Sequence, residues 1–310
     1  LRPKTCGGDP HNLFTLHLNK QQGKKGWGVG LFQTCMVDCA TSGLMMGLET
    51  ILYALSGPAA AFDWADGVPL SNPRVALGTA VGYVVVVKGV LPGRRMSLGC
   101  LPAVHNLIIC LWSLVMFVGA ALEAQKETER TGSIYWLFCL PPGTQVKGGL
   151  YFWSYVYYVS KYYELLDTVI LSLKGKPVIF LHWFHHATVI IMAFLWLEYA
   201  QSLQVIALLT NTGIHVMMYW YYFLCTLGKR PRWKVVVTNG QIIQFVFSFC
   251  TFVPFLVAHF SSARGPGGGG CSGFEAVMFN AAFNAALLVL FVSFHRRSYS
   301  RGRAGRSKVA

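Results

Sequence analysis

Between residues 74 and 294 the chain carries seven apolar stretches, approximately 74–91, 98–122, 150–172, 178–197, 202–226, 234–260 and 274–294. A helix crossing bilayer hydrocarbon needs roughly 20 predominantly apolar residues, and helices satisfy their own backbone there. Turn-forming residues separate many of the stretches: Pro92-Gly93, Pro141-Pro142-Gly143, Gly175-Lys176-Pro177, Pro231 and Arg264-Gly265-Pro266. The first stretch is the weakest, interrupted by Lys88 and several glycines. Charged residues make up 12% of the 310 positions, against roughly 25% in soluble domains. The fold expected is all-α, a polytopic membrane protein with seven transmembrane helices. Soluble enzymes and secreted disulfide scaffolds are largely excluded, and no solenoid repeat or interdomain linker is visible.

The formal charge of +14 resolves into an orientation. Cytosolic loops carry the excess of Lys and Arg. Counting back from a tail with six basic residues between Arg296 and Lys308, one side receives that tail, Lys229, Arg230, Arg232, Lys234, Lys174, Lys176, Arg94 and Arg95. The other receives Arg74, Lys126, Arg130, Lys147 and Arg264, with Glu123, Glu127 and Glu129 beside the middle three. The C-terminus is therefore expected in the cytosol, the N-terminus on the opposite side, and no nucleic acid partner is implied. Arg2, Lys4, Lys20, Lys24 and Lys25 fall on the wrong side. Residues 1–60 are accordingly read as an N-terminal extension. It is either upstream of a start at Met45 or Met46, or a disordered segment. The membrane domain is 61–295, and 296–310 is a basic tail.

Ionisable groups at membrane depth are costly and mark functional sites by default. Span three holds Lys161, Glu164, Asp167 and Thr168. Their spacing puts Lys161, Glu164 and Thr168 on one face, with Asp167 a turn from Glu164. A Lys-Glu pair locking helix packing explains part of this equally well. His182, His185 and His186 open span four, within about 100° of arc on one turn, so they project into a common site. Span five carries Asn211, His215, Met218, Tyr219 and Tyr222 on one face. Span six begins with Thr238, Gln241 and Gln244, a group that alone reads as interhelical glue. In the orientation above all four clusters lie in the cytosolic halves of their helices, where they can converge. The resulting pocket opens to the cytosol and leads into an apolar interior, which suits a substrate with a polar head and a hydrocarbon tail.

Two chemistries use such histidines. A metal-dependent membrane oxidase or desaturase needs histidines over several boxes, whereas His11, His17, His105, His259 and His295 stand apart from the cluster. Acyl transfer instead uses imidazole as nucleophile or general base. Apart from Cys225 at the end of span five no thiol lies in the cluster, and no Ser sits in a nucleophile elbow. A seven-helix receptor or transporter would explain the spans but not the four polar clusters.

The segments Lys161-x-x-Glu164-x-x-Asp167-Thr168, His182-x-x-His185-His186, His215-Val-Met-Met218-Tyr219-Trp-Tyr221-Tyr222 and Thr238-x-x-Gln241-x-x-Gln244 resemble, in order and spacing, the motifs of the ELO (Elovl) family of very-long-chain fatty acid elongases. The general resemblance covers about residues 74–295. It implies an endoplasmic reticulum enzyme, a very-long-chain 3-oxoacyl-CoA synthase. Such an enzyme condenses acyl-CoA with malonyl-CoA, loses CO2 and CoA, and binds no cofactor. It also implies seven helices, six of them surrounding an acyl-chain tunnel, and a ketoacyl-CoA reductase, a dehydratase and an enoyl reductase as partners completing the cycle; a homodimer stands as one assembly. Carried over, His185 is the nucleophile forming an acyl-imidazole, His215 faces it, and His182 and His186 orient or assist. Gln241, Gln244, Tyr219 and Asn211 are the oxyanion donors, and Lys174, Lys176, Lys229 and Arg230 are candidates for the CoA phosphates. Family members acting on polyunsaturated chains often have Gln five residues before the first histidine. Pro177 holds that position, a lean towards saturated and monounsaturated chains.

Cys139 and Cys271 both fall on the lumenal side in this orientation, an oxidising compartment, and a disulfide between them is expected.

Overall fold

The computed structural model describes residues 50–65, 67–89, 96–264 and 268–306. The chain up to residue 49, with Met45 and Met46, lies outside them, as do Arg94, Arg95, Gly265, Pro266 and Lys308. From residue 73 the described chain forms eight helices: α1 (Pro73–Gly89), α2 (Leu101–Thr131), α3 (Gly149–Tyr163), α4 (Leu166–Leu173), α5 (Phe180–Glu198), α6 (Gln204–Thr226), α7 (Lys234–Arg264) and α8 (Phe274–Arg306). No strand is present among the described residues beyond an isolated bridge between Asp63 and Lys147. By length and composition α2, α5, α7 and α8 can cross a membrane. The outer faces of α2, α7 and α8 carry exposed Ile108, Leu111, Ile243, Val246, Val253, Val257 and Val289, side chains that suit lipid and not water.

One expectation is corrected. The stretch 150–172 is not a single helix but α3 and α4, broken at Glu164-Leu165. Backbone bonds there run three residues back, from Leu165 N to Tyr162 O, Asp167 N to Glu164 O and Thr168 N to Leu165 O. This tightened winding displaces residues beyond the break from the face that a continuous helix would give them. Thr168 therefore leaves the Lys161–Glu164 face.

Helix contacts close into a ring: α2 packs on α3 and α6, α3 on α5, α5 on α8, α8 on α7, and α7 on α6. Helix α1 packs outside it, against α5. At one end of the ring, Cys139 and Cys271 form a disulfide with Cα atoms 5.0 Å apart. The Ser202 hydroxyl accepts from Leu140 N and donates to Ser272 O. Gly273 lies against the α5–α6 turn at φ +71, where a Cβ would come within 2.6 Å of the Gln201 Cα, so a larger residue would push the loops apart. Phe255, Val277, Leu203 and Ala258 fill the space beneath.

The bridge spans 132 residues of sequence, so it restricts the unfolded chain strongly. Cys139→Ser or Cys271→Ser is expected to cost roughly 2–4 kcal/mol, read as a lowered midpoint of thermal unfolding in detergent. Equal midpoints with and without reductant would show that the bridge does not stabilise the fold.

Candidate active site

The polar side chains gather at the opposite end of the ring, where α5 begins. Lys161 and Glu164, each 1% exposed, form an ion pair with Nζ 2.6 Å from Oε1. Lys161 also lies 4.0 Å above the Tyr157 ring. His215 Nδ1 approaches the same Glu164 oxygen at 3.6 Å, so this one carboxylate holds both a lysine behind it and a histidine in front. Glu164 Oε2 is buried without a partner among the described residues.

The helix break turns the next two motif residues elsewhere. Asp167 accepts from the Tyr219 hydroxyl at 2.5 Å, and its other oxygen is 2.8 Å from His105 Nε2. Thr168 Oγ1 bonds His182 Nε2 at 2.8 Å and the Tyr83 hydroxyl at 2.7 Å. His105, set apart in the sequence, is thus 3% exposed and stacked on Tyr163 within the motif network. A histidine followed by Asn106 inside span two was the available signal, although its partner was not readable. His259, also set apart, accepts from Cys271 N beside the disulfide and belongs to the other end.

Of the three box histidines, His182 is held by Thr168, and the rings of His182 and His186 lie 4.5 Å apart. His186 Nδ1 is buried and unpartnered among the described residues. Of the three, His185 combines partial exposure, which it shares with His182, with the absence of a hydrogen-bond partner among the described residues, which it shares with His186, and it rests against Phe283.

A cavity of about 530 Å³ occupies this end. It is lined by five histidines, the three of the box with His215 and His105, and by Glu164, Asp167, Asn211, Met218, Tyr219, Tyr222, Thr238, Gln241 and Gln244. Lys161 and Thr168 stand behind its wall. Lys174, Lys176 and Lys234 line it, whereas Lys229 and Arg230 do not. A narrower cavity of about 40 Å³ continues towards the disulfide end, bounded by His185, Val189, Met192 and Trp196 on one face of α5. His185, Asn211, Gln244 and Phe245 border both cavities.

That junction combines an imidazole with two amides. The Tyr157 hydroxyl donates to Asn211 Oδ1 at 3.0 Å, which leaves the Asn211 NH2 to donate into the cavity. Gln241, whose amide nitrogen donates to Met218 Sδ, and Tyr219, whose proton Asp167 engages, border the wide cavity but not the narrow one, so neither stands at the junction. Among the described residues no three His, Cys, Asp or Glu side chains are grouped to hold a metal ion.

The sequence model described as "ELO: GNS1/SUR4 family" matches residues 68–307. A Dictyostelium discoideum protein named provisionally as a fatty acid elongase is 37% identical over 237 residues, 75% of this chain and 78% of its own length. "Fatty acid elongase sre1" of the same organism is 32% identical over 269 residues, 84% of this chain and 97% of its own. "Fatty acid elongase 3-like" of Arabidopsis thaliana is 26% identical over 268 residues, 80% and 91% respectively.

Proposed function

The chain belongs to the ELO (GNS1/SUR4) family, and on that premise we propose that it is the condensing enzyme of fatty acid elongation, a 3-oxoacyl-CoA synthase of the endoplasmic reticulum membrane. In this reading it spans the bilayer seven times, with α3 and α4 sharing one crossing, the N-terminus lumenal and the histidine end facing the cytosol. The ring of helices surrounds the acyl tunnel. The observation that carries the reading is the junction: a hydrogen-bond-free imidazole and two amides stand where a wide cavity holding the motif side chains meets a narrow path into the bundle.

Acyl-CoA enters with its tail directed along the narrow path, and its thioester stops beside His185. The ring's unprotonated nitrogen attacks the carbonyl carbon, the C–S bond breaks, and CoA leaves as thiolate; the single N–H proton on the other ring nitrogen then passes to the thiolate with His215 as relay, leaving a neutral acyl-imidazole. Asn211 and Gln244 donate to the oxyanion that forms on the way. Malonyl-CoA then binds. Its bond to the carboxylate breaks, CO2 departs, and the electron pair enters the thioester enolate. The enolate carbon attacks the acyl-imidazole, the C–N bond breaks, and His185 recovers a proton from solvent. The product is a 3-oxoacyl-CoA two carbons longer. Lys174, Lys176 and Lys234 supply positive charge for the CoA phosphates, and the reductase and dehydratase partners of the cycle act on the released product.

Removing one preorganised oxyanion donor costs about 10²–10³ in turnover, so Asn211→Ala and Gln244→Leu are each expected to lower kcat in that range. An unchanged kcat for both would place the oxyanion elsewhere. The activity itself is tested with labelled malonyl-CoA, a panel of acyl-CoAs and membranes carrying the chain. Label recovered in a product two carbons longer supports the reading. A modified acyl chain of unchanged length, formed only with O2 and reductant, would replace it with a metal-dependent oxidase.

A further inference from the structure

The narrow path beyond His185 is not uniformly apolar. Its walls include Thr210, Ser248, Asn280 and Asn284, and a further cavity of about 20 Å³ shares the same four residues. Asn280 is 7% exposed and its side-chain amide has no hydrogen-bond partner among the described residues. Asn284 Nδ2 donates to Ser248 Oγ at 3.1 Å, and Ser248 Oγ passes its own proton to Phe245 O. Thr210 Oγ1 donates back to Ile206 O, which leaves its lone pairs towards the path. At 1.5 Å of rise per residue, Ser248 lies about 6 Å along α7 from Gln244.

The Asn280 amide fronts these cavities without a protein partner, and plain hydrocarbon drawn past it would take it out of contact with water at a cost of about 1–3 kcal/mol. We propose that Asn280, with Asn284, Ser248 and Thr210, forms a hydrogen-bonding subsite in the acyl path that selects acyl chains carrying a hydroxyl at that depth. A hydroxyl there both donates and accepts: the Asn280 NH2 donates to it, and Thr210 Oγ1 or Asn280 Oδ1 receives its proton. Elsewhere along the path the same hydroxyl meets Val189, Met192, Phe283 or Leu287 and is disfavoured. The proposal rests on the elongase reading above.

The test is a paired length series of unsubstituted and ω-hydroxy acyl-CoAs with labelled malonyl-CoA. At lengths whose terminus stops short of the layer, the hydroxy chain is expected to be elongated more slowly. At the length that reaches it, the hydroxy chain is expected to be faster than its plain counterpart by about three- to tenfold, the worth of one hydrogen bond. Asn280→Leu, matched in size, should bring that ratio to one or below; Asn284→Leu serves if that protein does not fold. Plain chains faster at every length would overturn the subsite and leave the amide as a water ligand. No product from any acyl-CoA would instead remove the elongase reading itself.

Discussion

His185→Ala is expected to lower condensation by about 10⁴-fold or more, the scale on which loss of a covalent nucleophile acts. His182→Ala and His186→Ala should lose less, because those rings act through others: His182 is tied to Thr168, and His186 packs between His182 and His185. Condensation rates with labelled malonyl-CoA rank the three proteins, and retention of the Cys139–Cys271 bridge reports that each has folded. His185 lies one residue from a ring of the same chemistry, so the ranking separates position from histidine content. Near-normal turnover by His185→Ala would take it out of the mechanism.

The Lys161–Glu164 pair yields the second large effect. Both groups are out of water, and removing one partner strands the other's charge, which costs about 3–5 kcal/mol. Lys161→Met should therefore lower the thermal midpoint sharply. Replacing both, Lys161→Met with Glu164→Leu, should recover most of that stability, since apolar residues of similar size often match a buried pair. Activity should not recover with it, because His215 loses the carboxylate that lies 3.6 Å from its Nδ1. A double variant as active as the wild type would make the pair a packing device only, the reading that the sequence alone left open. A double variant as unstable as the single would show that the pair is needed at the helix break.

Much of this arrangement was legible in the sequence, because hydrophobic length and helical periodicity are local properties. The apolar stretches became helices, and the spacing of His182, His185 and His186 placed three rings on one turn. Partners were less legible. Periodicity assumes an unbroken helix, so Thr168 was assigned to the face of Glu164, whereas the tightened turn at Glu164-Leu165 delivers it to His182. His105 looked solitary because its partner Asp167 is 62 residues away, a separation that no local pattern encodes. Tyr219 shows the same limit: its position on the motif face was readable, but not that Asp167 engages its proton. Asn280 and Asn284 lie within an otherwise apolar span, and their meaning depends on Ser248 and Thr210 arriving from two other helices.

The mechanism turns on whether the acyl group passes through His185 before malonyl-CoA takes part. Purified protein incubated with a long-chain acyl-CoA alone answers this through CoA release and peptide mass mapping. The account predicts stoichiometric CoA release and an acyl mass on the peptide containing His185, both absent in His185→Ala. Release of CoA only after malonyl-CoA is added, with no acyl adduct on any histidine, would contradict it.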